Sequence, residues 1–301
     1  IHSYYPKYAR YLTNNNIYYD FIDLSTSNFI EVAKQYDIII WRLPNNKPDL
    51  IIAKNKIEFL EREFRITFFP SYSYNWMYEE KDKQYWMFQK FNIETIKTFI
   101  SQDENEILNF IKNTDYPIVY KDVTSSSSQG VIKVNNYHNA KKIMEKQFYK
   151  NNSIYFQEFI QDCSYDLRVI TIKSKFFLGY YRYSIKGDFR ASGSGIVKKT
   201  DIPLDVLNLS YDYSTRLGSP YLVAIDYIYD NRDNKYKVIE MSNFIGCETS
   251  QQLEVNGVPG LYIYENNKFI FKSGNYWIQE LSLNEFFIDY FQKEIEGGGK
   301  I

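Results

Sequence analysis

The feature that most constrains this chain is a predicted β-hairpin at residues 221–246. The segment reads YLVAIDYIYDNRDNKYKVIEMSNFIG, in which two runs rich in Ile, Val and Tyr flank a polar turn. If the hairpin is symmetric about Asp233, Asp226 and Glu240 lie opposite each other, with their Cβ atoms roughly 5 Å apart. Because their neighbours are apolar, little water would relieve the repulsion between the two carboxylates, whereas a divalent cation such as Mg²⁺ would. The alternative is two carboxylates on the solvent face of an ordinary hairpin.

Length and composition limit the classes of protein that the chain can be. A chain of 301 residues is long for one core, so we expect two or three lobes. The net charge of −1 implies no general attraction to nucleic acid or acidic membranes, and no apolar run approaches the roughly 20 residues of a membrane helix. Two cysteines, Cys163 and Cys247, give no disulfide framework and fit a reducing cytosol, so a cytoplasmic location is expected. Ile1 is not a methionine, which leaves open that a first strand has been lost or processed away.

The first 80 residues alternate between helix-like and strand-like segments. Helices are predicted at 6–14, 29–35 and 51–64, and strands at 17–24, 36–43 and 66–69. Strands that alternate with helices indicate a small parallel α/β lobe. Ligands commonly bind at the ends of such strands, which makes Trp41, Arg42 and Ser71 candidates for substrate contact, with packing or a surface position as the alternative for each.

A strand that ends in lysine precedes a loop of small residues in the middle of the chain. Residues 116–121 (YPIVYK) predict a strand that ends at Lys121, the loop 124–130 reads TSSSSQG, and residues 131–134 resume as a strand. Such a unit can form a flap over phosphates, since backbone N–H groups of small residues approach an anion closely and lysine adds a point charge. The Gly-x-x-x-x-Gly-Lys pattern of a P-loop is absent. A serine-rich turn without a ligand is the alternative.

The remaining segments predict further strands, loops and helix ends. Residues 154–171 read as two strands joined by a polar elbow, residues 176–182 as another strand, and residues 185–195 as a basic loop rich in glycine and serine. Pro203 and Gly218 frame a helix, and a hairpin at 260–273 turns at Asn266 and Asn267. Capping boxes are predicted at residues 101–104 and 282–285, each before a helix.

Five elements occur here in the order found in one enzyme superfamily. They are the lysine-ended strand with its flap, the Gln-Glu-Phe-Ile stretch at 157–160, the Asp-Leu-Arg stretch at 166–168, the Asp-Phe-Arg loop at 188–190 and the Asp…Glu hairpin. Residues 82–254 thereby resemble the ATP-grasp superfamily. Within it they are most similar to the RimK-like ligases, which add glutamate to the C-terminus of a ribosomal protein. Glutathione synthetases and D-alanine–D-alanine ligases are more distantly similar. The most specific stretch is KGDFRAS at 186–192.

The resemblance implies a mixed α+β and α/β architecture, namely an ATP-grasp fold with an N-terminal α/β lobe. We expect the N-terminal substrate lobe at residues 1–80. A small ATP-grasp lobe with the phosphate flap would follow at 81–160, and a C-terminal ATP-grasp lobe with the metal hairpin at 161–301.

The resemblance also implies roles for individual residues. Lys121 and Lys83 would contact the phosphates of ATP, and Asp166 would accept hydrogen bonds from the ribose hydroxyls. Arg182 and Arg190 would hold the transferred phosphoryl group or the substrate carboxylate. The other residues implied in nucleotide binding belong to the flap, the adenine-binding strand and the Asp-Phe-Arg loop: Ser127, Ser128, Gln129, Gly130, Gln157, Glu158, Phe159, Ile160 and Ser192.

The same resemblance assigns a metal to the hairpin. Asp226 and Glu240 would bind Mg²⁺, with Mn²⁺ as the alternative ion. The family pattern Glu-x-Asn is replaced here by Glu240-Met241-Ser242, and Asn243 comes one place later. Because side chains alternate along a strand, Ser242 shares a face with Glu240, and Asn243 reaches that face only if a bulge follows Met241. We expect Ser242 to complete the site.

Such enzymes phosphorylate a carboxylate with ATP, and an amine then attacks the acylphosphate. The resemblance therefore implies an ATP-dependent carboxylate–amine, or carboxylate–thiol, ligase that releases ADP and phosphate, with Lys121, Arg182 and Arg190 neutralising the transferring group. Its substrates would be small molecules or peptides, without a nucleic-acid or membrane partner, and a homodimer or higher homo-oligomer is possible. The alternatives are an ATP-dependent phosphotransferase and a nucleotide-binding protein that has lost catalysis. The serines in place of family asparagines, Ser192 and Ser242, would permit that loss.

Overall fold

The computed structural model describes residues 4–123, 130–151, 153–246 and 248–296. These residues form three β-sheets of two, four and eight strands, which follow one another along the chain. Helices lie between the strands and cover the sheets.

The first lobe contains the two-stranded sheet and four helices. Its elements are α1 (Tyr4–Asn14), α2 (Phe29–Ala33), β1 (Ile38–Ile40), α3 (Lys47–Phe64), β2 (Thr67–Phe69) and α4 (Tyr72–Asn75). β1 and β2 are parallel, as predicted for an α/β lobe. α3 begins earlier than predicted, because the Asn46 side chain caps it by accepting the backbone N–H of Asp49 at 3.1 Å.

The strand predicted at residues 17–24 does not form. This segment and β1 both line a cavity of about 1220 Å³, and no backbone ladder joins them. Side chains anchor the segment instead: Tyr36 Oη donates to Asp20 at 3.1 Å, while Tyr18 is 84% exposed. The alternating pattern predicted a strand, but alternation does not supply the neighbouring strand that a ladder requires.

The second sheet carries the lysine-ended strand. Its elements are α5 (Lys81–Lys90), β3 (Thr98–Ser101), α6 (Glu104–Asn113), β4 (Ile118–Lys121), β5 (Val131–Val134), α7 (Tyr137–Asn151) and β6 (Ile154–Glu158). The strand order is β3-β6-β4-β5, and every pairing is antiparallel. α6 and α7 pack on one face of this sheet around a core that includes Ile107, Tyr120 and Phe156.

The third sheet forms the centre of the molecule. Its elements are β7 (Tyr165–Ile172), β8 (Phe176–Tyr183), β9 (Ile196–Lys198), α8 (Leu204–Arg216), β10 (Val223–Asp230), β11 (Lys235–Ser242), β12 (Glu254–Val255), β13 (Val258–Glu265), β14 (Lys268–Ser273) and α9 (Ile278–Glu296). The main path runs β11-β10-β7-β8-β13-β12, with β9 paired to β8 and β14 paired to β13. The two strands predicted within 154–171 therefore belong to different sheets.

The central strands β7, β8 and β10 of the eight-stranded sheet are buried on both faces, to which successive residues point alternately. Val169 and Val223 face a core shared with α8, whereas Ile170 and Ala224 face a core shared with α9 and the first lobe. The first lobe thus packs on the back of this sheet rather than around a core of its own. The lobe boundaries at residues 80 and 160 stay a prediction.

One predicted turn and one predicted helix end are confirmed. Gly218 follows α8 with a φ of 85°, which glycine adopts without strain. β13 and β14 turn at Asn266 and Asn267, both with positive φ.

The capping box predicted at 282–285 is wrong: α9 already begins at Ile278, and Ser282 lies inside it with Oγ donating to the Gln279 carbonyl at 3.0 Å. Within the described ranges, no helix is long and apolar enough to cross a membrane.

The capping box predicted at 101–104 is also wrong, because β3 extends through Ser101. Asp103 is the N-cap of α6, and its carboxylate accepts the backbone N–H of Glu106 at 2.7 Å. Ser101 Oγ instead contacts the Glu106 carboxylate.

Replacing this cap tests the observed helix start. Asp103→Ala should lower the free energy of unfolding by about 1 kcal/mol, because the first turn of α6 loses its acceptor. Urea denaturation followed by circular dichroism measures the change. Gln102→Ala, at the exposed preceding position, is the control and should have little effect; equal effects of both changes would show that Asp103 does not cap the helix.

Candidate active site

The β10–β11 hairpin places Asp226 directly opposite Glu240, as predicted. The turn differs from the predicted one. A hairpin symmetric about Asp233 would pair residue 230 with residue 236, whereas the structure pairs Asp230 with Lys235. With a regular ladder from that turn, Asp226 would face residue 239 and the two carboxylates would point to opposite faces.

A β-bulge at Ile239 restores the pairing of the carboxylates. Val238 lies opposite Tyr227, and the next paired residue of β11 is Glu240, opposite Asp226. Ile239 is therefore the extra residue. Such bulges re-aim side chains and are over-represented next to active sites.

Asp226 accepts hydrogen bonds from two arginines on the neighbouring strands. It is only 2% exposed. Arg168, its partner across the β7–β10 ladder, donates from Nε and Nη2 at 2.7 Å each, and Arg182 on β8 donates from Nη2 at 2.8 Å. Arg182 also donates from Nε to Asp166 at 2.6 Å. Three adjacent strands thus assemble a buried cluster of two arginines and two aspartates.

The charged groups in this cluster shift one another's pKa values. Burial alone would raise the pKa of Asp226, but the guanidiniums of Arg168 and Arg182 hold it well below the usual range. Burial raises the pKa of Asp166; Arg182 opposes that shift, and the charge of Asp226 adds to it. Asp226 is consequently ionised at neutral pH.

Lys121 and Lys81 bring positive charge to the same cleft. The pKa of Lys121 is lowered to about 8, because burial and the charge of Lys81 outweigh the charges of Glu240, Asp226 and Asp166, which raise it. Lys81 Nζ lies 3.8 Å from Glu240 Oε1. No described carboxylate forms an ion pair with Lys121. The end of the four-stranded sheet therefore meets the hairpin of the eight-stranded sheet at a site that attracts anions.

The structure does not bring Lys83 to Glu240. Its ammonium lies 2.8 Å from Glu80 Oε2 and 5.2 Å from the centre of the Trp76 ring. Lys81, two residues earlier, occupies the cleft because residues two apart on a helix point in different directions. The role of Arg168 was not predicted either, although the residue belongs to the Asp-Leu-Arg motif. Only the strand order, which places Arg168 opposite Asp226, identifies this role.

The predicted adenine-binding strand lies at the end of β6. Gln157 is buried and donates to Thr98 Oγ1 at 3.0 Å. The Glu158 carboxylate accepts from both terminal nitrogens of Arg232, which lies in the turn of the metal hairpin. Ile160 is buried. The Gln157 amide nitrogen and the Glu158 carboxylate are thus engaged within the protein, whereas Gln157 Oε1 is buried without a hydrogen-bond partner among the described residues.

The Asp-Phe-Arg loop touches this strand through its aromatic residue. Phe189 packs edge-on against Phe159 with ring centres 5.7 Å apart, and Lys133 Nζ lies 3.8 Å from the centre of the Phe159 ring. The exposed Arg190 donates to the half-buried Asp188 carboxylate, from Nη2 at 2.8 Å. It is therefore not part of the cluster around Asp226.

The predicted phosphate flap falls mainly outside the described residues, as do Ser127, Ser128 and Gln129. Gly130, which is described, is exposed with a φ of 77°, and its carbonyl accepts the backbone N–H of Asp122 at 3.0 Å. Cys247 also lies outside the described ranges. Ser192 is half-buried in the loop after Arg190.

The strand after Glu240 stays regular, and no bulge follows Met241. Ser242 therefore shares the face of Glu240, and its Oγ donates to the Phe244 carbonyl at 2.7 Å. Asn243 points away: its buried amide donates to the Tyr74 carbonyl of α4. Ser242 remains the predicted ligand of the two.

The candidate substrate residues of the first lobe differ in their surroundings. Trp41 continues the β-pairing through its N–H, which donates to the Phe69 carbonyl at 3.0 Å, and its ring packs on the core. Ser71 Oγ contacts Ser73 Oγ at 2.8 Å. Arg42 alone of the three places a charged group near the hairpin, 5.4 Å from the centre of the Phe244 ring.

The donor set fits a metal held by one carboxylate and by a substrate. Within the described residues, no three His, Cys, Asp or Glu side chains group as a metal site. Both oxygens of Asp226 already accept charge-assisted hydrogen bonds, so this carboxylate is less available to a cation than Glu240 is. Glu240 is 33% exposed and fits Mg²⁺, which commonly takes one or two carboxylates together with substrate phosphates.

Comparison with known proteins gives a family match and two named relatives. The model of the RimK-like ATP-grasp domain matches residues 79–260. The chain is 26% identical over 195 residues to the alpha-aminoadipate–LysW ligase LysX of Saccharolobus solfataricus, which covers 63% of this chain and 67% of the relative. It is 22% identical over 183 residues to the coenzyme gamma-F420-2:alpha-L-glutamate ligase of Methanococcus maripaludis, with 59% of this chain and 62% of the relative covered. The chain thus spans about two thirds of the length of these relatives.

The fold is similar to that of a nucleotide-bound enzyme domain. The biotin carboxylase domain of Hydrogenobacter thermophilus 2-oxoglutarate carboxylase, solved with MgADP, ADP and bicarbonate, superposes with a TM-score of 0.59 at 13% identity. The match covers 81% of this chain and 62% of that one. The predicted fold and superfamily are confirmed, and two relatives that are ligases support the predicted class of enzyme. Since the family model matches more than half of its length, the chain belongs to the RimK-like ATP-grasp family.

Proposed function

We propose that this chain is an ATP-dependent carboxylate–amine ligase that acts through an acylphosphate. One observation carries the proposal: the buried ammonium of Lys121 on one sheet lies within electrostatic range of Glu240 and Asp226 on another, where Arg168 and Arg182 both bind Asp226. The relatives named above are ligases, and their names specify α-aminoadipate and glutamate, which are both amino acids. An amino-acid substrate is therefore part of the proposal.

The residues of the cleft divide the work between binding and charge compensation. The Lys121 ammonium would bind a phosphate of ATP, and Arg182, held by Asp166 and Asp226, would stabilise the transferring phosphoryl group. A carboxylate oxygen would attack the terminal phosphorus with ADP as the leaving group. The amine would then attack the acyl carbon, lose a proton and release phosphate. A Mg²⁺ ion on Glu240 and the phosphates would supply further charge neutralisation.

The nucleoside would lie at the end of β6. The backbone of Gln157, Glu158, Phe159 and Ile160 is proposed to bind adenine. Asp166 binds Arg182 through Oδ1, and its other oxygen is proposed to accept from the ribose. Lys83 and Arg190, engaged by Glu80 and Asp188, are less suited to the phosphate role expected of them. A cytoplasmic location and a homo-oligomer stay predictions.

Release of ADP in the presence of substrate pairs tests the function directly. The purified protein, ATP and Mg²⁺ are combined with carboxylates and amines, separately and together. ADP release that requires both supports ligation. Phosphorylation without the amine would indicate a phosphotransferase, and nucleotide binding without any turnover across the panel would indicate a protein that has lost catalysis.

The low pKa of Lys121 predicts a pH-dependent affinity for ATP. The ammonium is present below about pH 8 and is lost above it, and only the ammonium attracts phosphate. The affinity should therefore fall above about pH 8, by up to about tenfold per pH unit. Isothermal titration between about pH 7.5 and 9.5 measures this. Lys121→Arg should remove the dependence, because guanidinium stays charged; an identical slope in that variant would refute the assignment.

Replacing Asp226 or Glu240 by the corresponding amide should have different effects on stability and on ATP binding. Asp226→Asn should lower the free energy of unfolding by about 3 kcal/mol or more, because the buried guanidinium of Arg168 loses its charge partner and that of Arg182 loses one of two. Glu240→Gln should change stability by less than about 1 kcal/mol but weaken ATP binding specifically when Mg²⁺ is present. Urea denaturation without metal and ATP titration with and without Mg²⁺ measure these effects. An unchanged or more stable Asp226→Asn protein would mean that repulsion from Glu240 dominates, so that Asp226 is available to a metal.

A further inference from the structure

Arg42 lies where the first lobe meets the segment that follows the metal hairpin. It comes two residues after β1, at the carboxyl end of a parallel strand pair, where ligands commonly bind. Its guanidinium carbon lies 5.4 Å from the centre of the ring of Phe244, the second residue after β11. Arg42 therefore reaches from the first lobe towards the candidate active site.

The charge of Arg42 is not matched by a carboxylate within the described residues. Nη1 donates to the carbonyl of the next residue, Leu43, whereas Nε is buried and has no hydrogen-bond partner there. No described carboxylate forms an ion pair with this guanidinium. A buried N–H without a hydrogen-bond partner is costly, and a guanidinium binds a carboxylate through two parallel hydrogen bonds. Arg42 is thus prepared for an anionic ligand.

Glu79 brings a carboxylate near both Arg42 and Glu240. Burial raises the pKa of Glu79, the charge of Glu240 raises it further, and the charges of Lys81 and Arg42 oppose this. Glu79 therefore lies within electrostatic range of both Arg42 and Glu240. Its backbone has a φ of 57°, in the left-handed region that few residues other than glycine adopt.

We propose that Arg42 binds the free carboxylate of an amino acid that supplies the amine, while Glu79 attracts its ammonium group. The proposal rests on the ligase function proposed above. A guanidinium and a carboxylate side by side match a zwitterion, whereas a phosphate dianion would be repelled by Glu79. The carboxylate bound by Arg42 is distinct from the carboxylate that ATP would phosphorylate. Lys121 and Arg182, which are proposed to bind the phosphates, lie on the other two sheets.

Binding of amino acids and their amides separates this role from a structural one. The protein with ATP and Mg²⁺ is titrated with the common L-amino acids and with their C-terminal amides, and the shift in unfolding temperature reports binding. At least one free amino acid should stabilise the wild type, and its amide should not. Arg42→Met, which keeps the apolar stem over Phe244, should weaken that amino acid at least tenfold, and Arg42→Lys should restore part of the loss. Arg62→Met, on the exposed side of α3, is the matched control and should bind as the wild type does.

The result separates the inference from the proposed function. If amino acids bind through Arg42 but ADP is never released, the ligase function fails and the carboxylate site stands. If no amino acid is preferred over its amide, or if folded Arg42→Met binds amino acids like the wild type, the Arg42 site is refuted whether or not the chain is a ligase. In the active enzyme, Arg42→Met should raise the KM for the amino acid at least tenfold while the KM for ATP stays the same.

Discussion

The carboxylate of Asp226 and the two guanidiniums that it binds fix the arrangement of the site. A buried ion is stable only if its hydrogen-bonding capacity is filled and its charge is compensated. Asp226 meets both conditions through Arg168 and Arg182, which come from the two strands nearest to β10 on one side. A slip of one residue in either ladder would turn these side chains to the opposite face. The cluster therefore selects the register of the central sheet.

The bulge at Ile239 reconciles two separate demands on the hairpin. At the turn, the buried carboxylate of Asp230 accepts from Arg232 and Lys237, which fixes the pairing of Asp230 with Lys235. At the cleft, Glu240 has to share a face with Asp226. No regular ladder satisfies both conditions, because β11 has one more residue than β10 between the pair at the turn and the pair of carboxylates. One extra residue in β11 resolves the conflict and accounts for a bulge next to the candidate metal ligand.

The sequence predicted pairings within a segment better than relations between segments. The Asp226–Glu240 pair and the turn at Asn266 and Asn267 follow from local patterns, and both are present. The bulge escaped prediction because a symmetric turn about the wrong centre gives the same carboxylate pair. The partnership of Arg168 with Asp226 depends on β7 lying beside β10, although more than 50 residues separate them. The choice of Lys81 over Lys83 depends on the rotation of α5, which its packing sets and its amphipathicity does not.

The site forms only where the four-stranded and eight-stranded sheets meet, so the contacts between the sheets decide its geometry. The segment around α5 makes these contacts: Gln84 accepts the backbone N–H of Met241 at 3.2 Å, and Lys81 donates its backbone N–H to the Val123 carbonyl at 3.0 Å. The same helix thus binds the hairpin strand and the end of the lysine-bearing strand. The burial that lowers the pKa of Lys121 also makes its positive charge costly.

A bound phosphate would remove that cost, because it replaces lost hydration with an opposite charge at short range. Burying Lys121 destabilises the fold, and part of this free-energy cost is recovered when an anion binds to the lysine. This reasoning extends to the unmatched guanidinium of Arg42 at the edge of the first lobe. Lys121 and Arg42 both lie where lobes meet, and there a substrate can supply a negative charge that the described residues do not place in an ion pair with them. Each anion that enters would therefore relieve a different cation, Lys121 in the one case and Arg42 in the other.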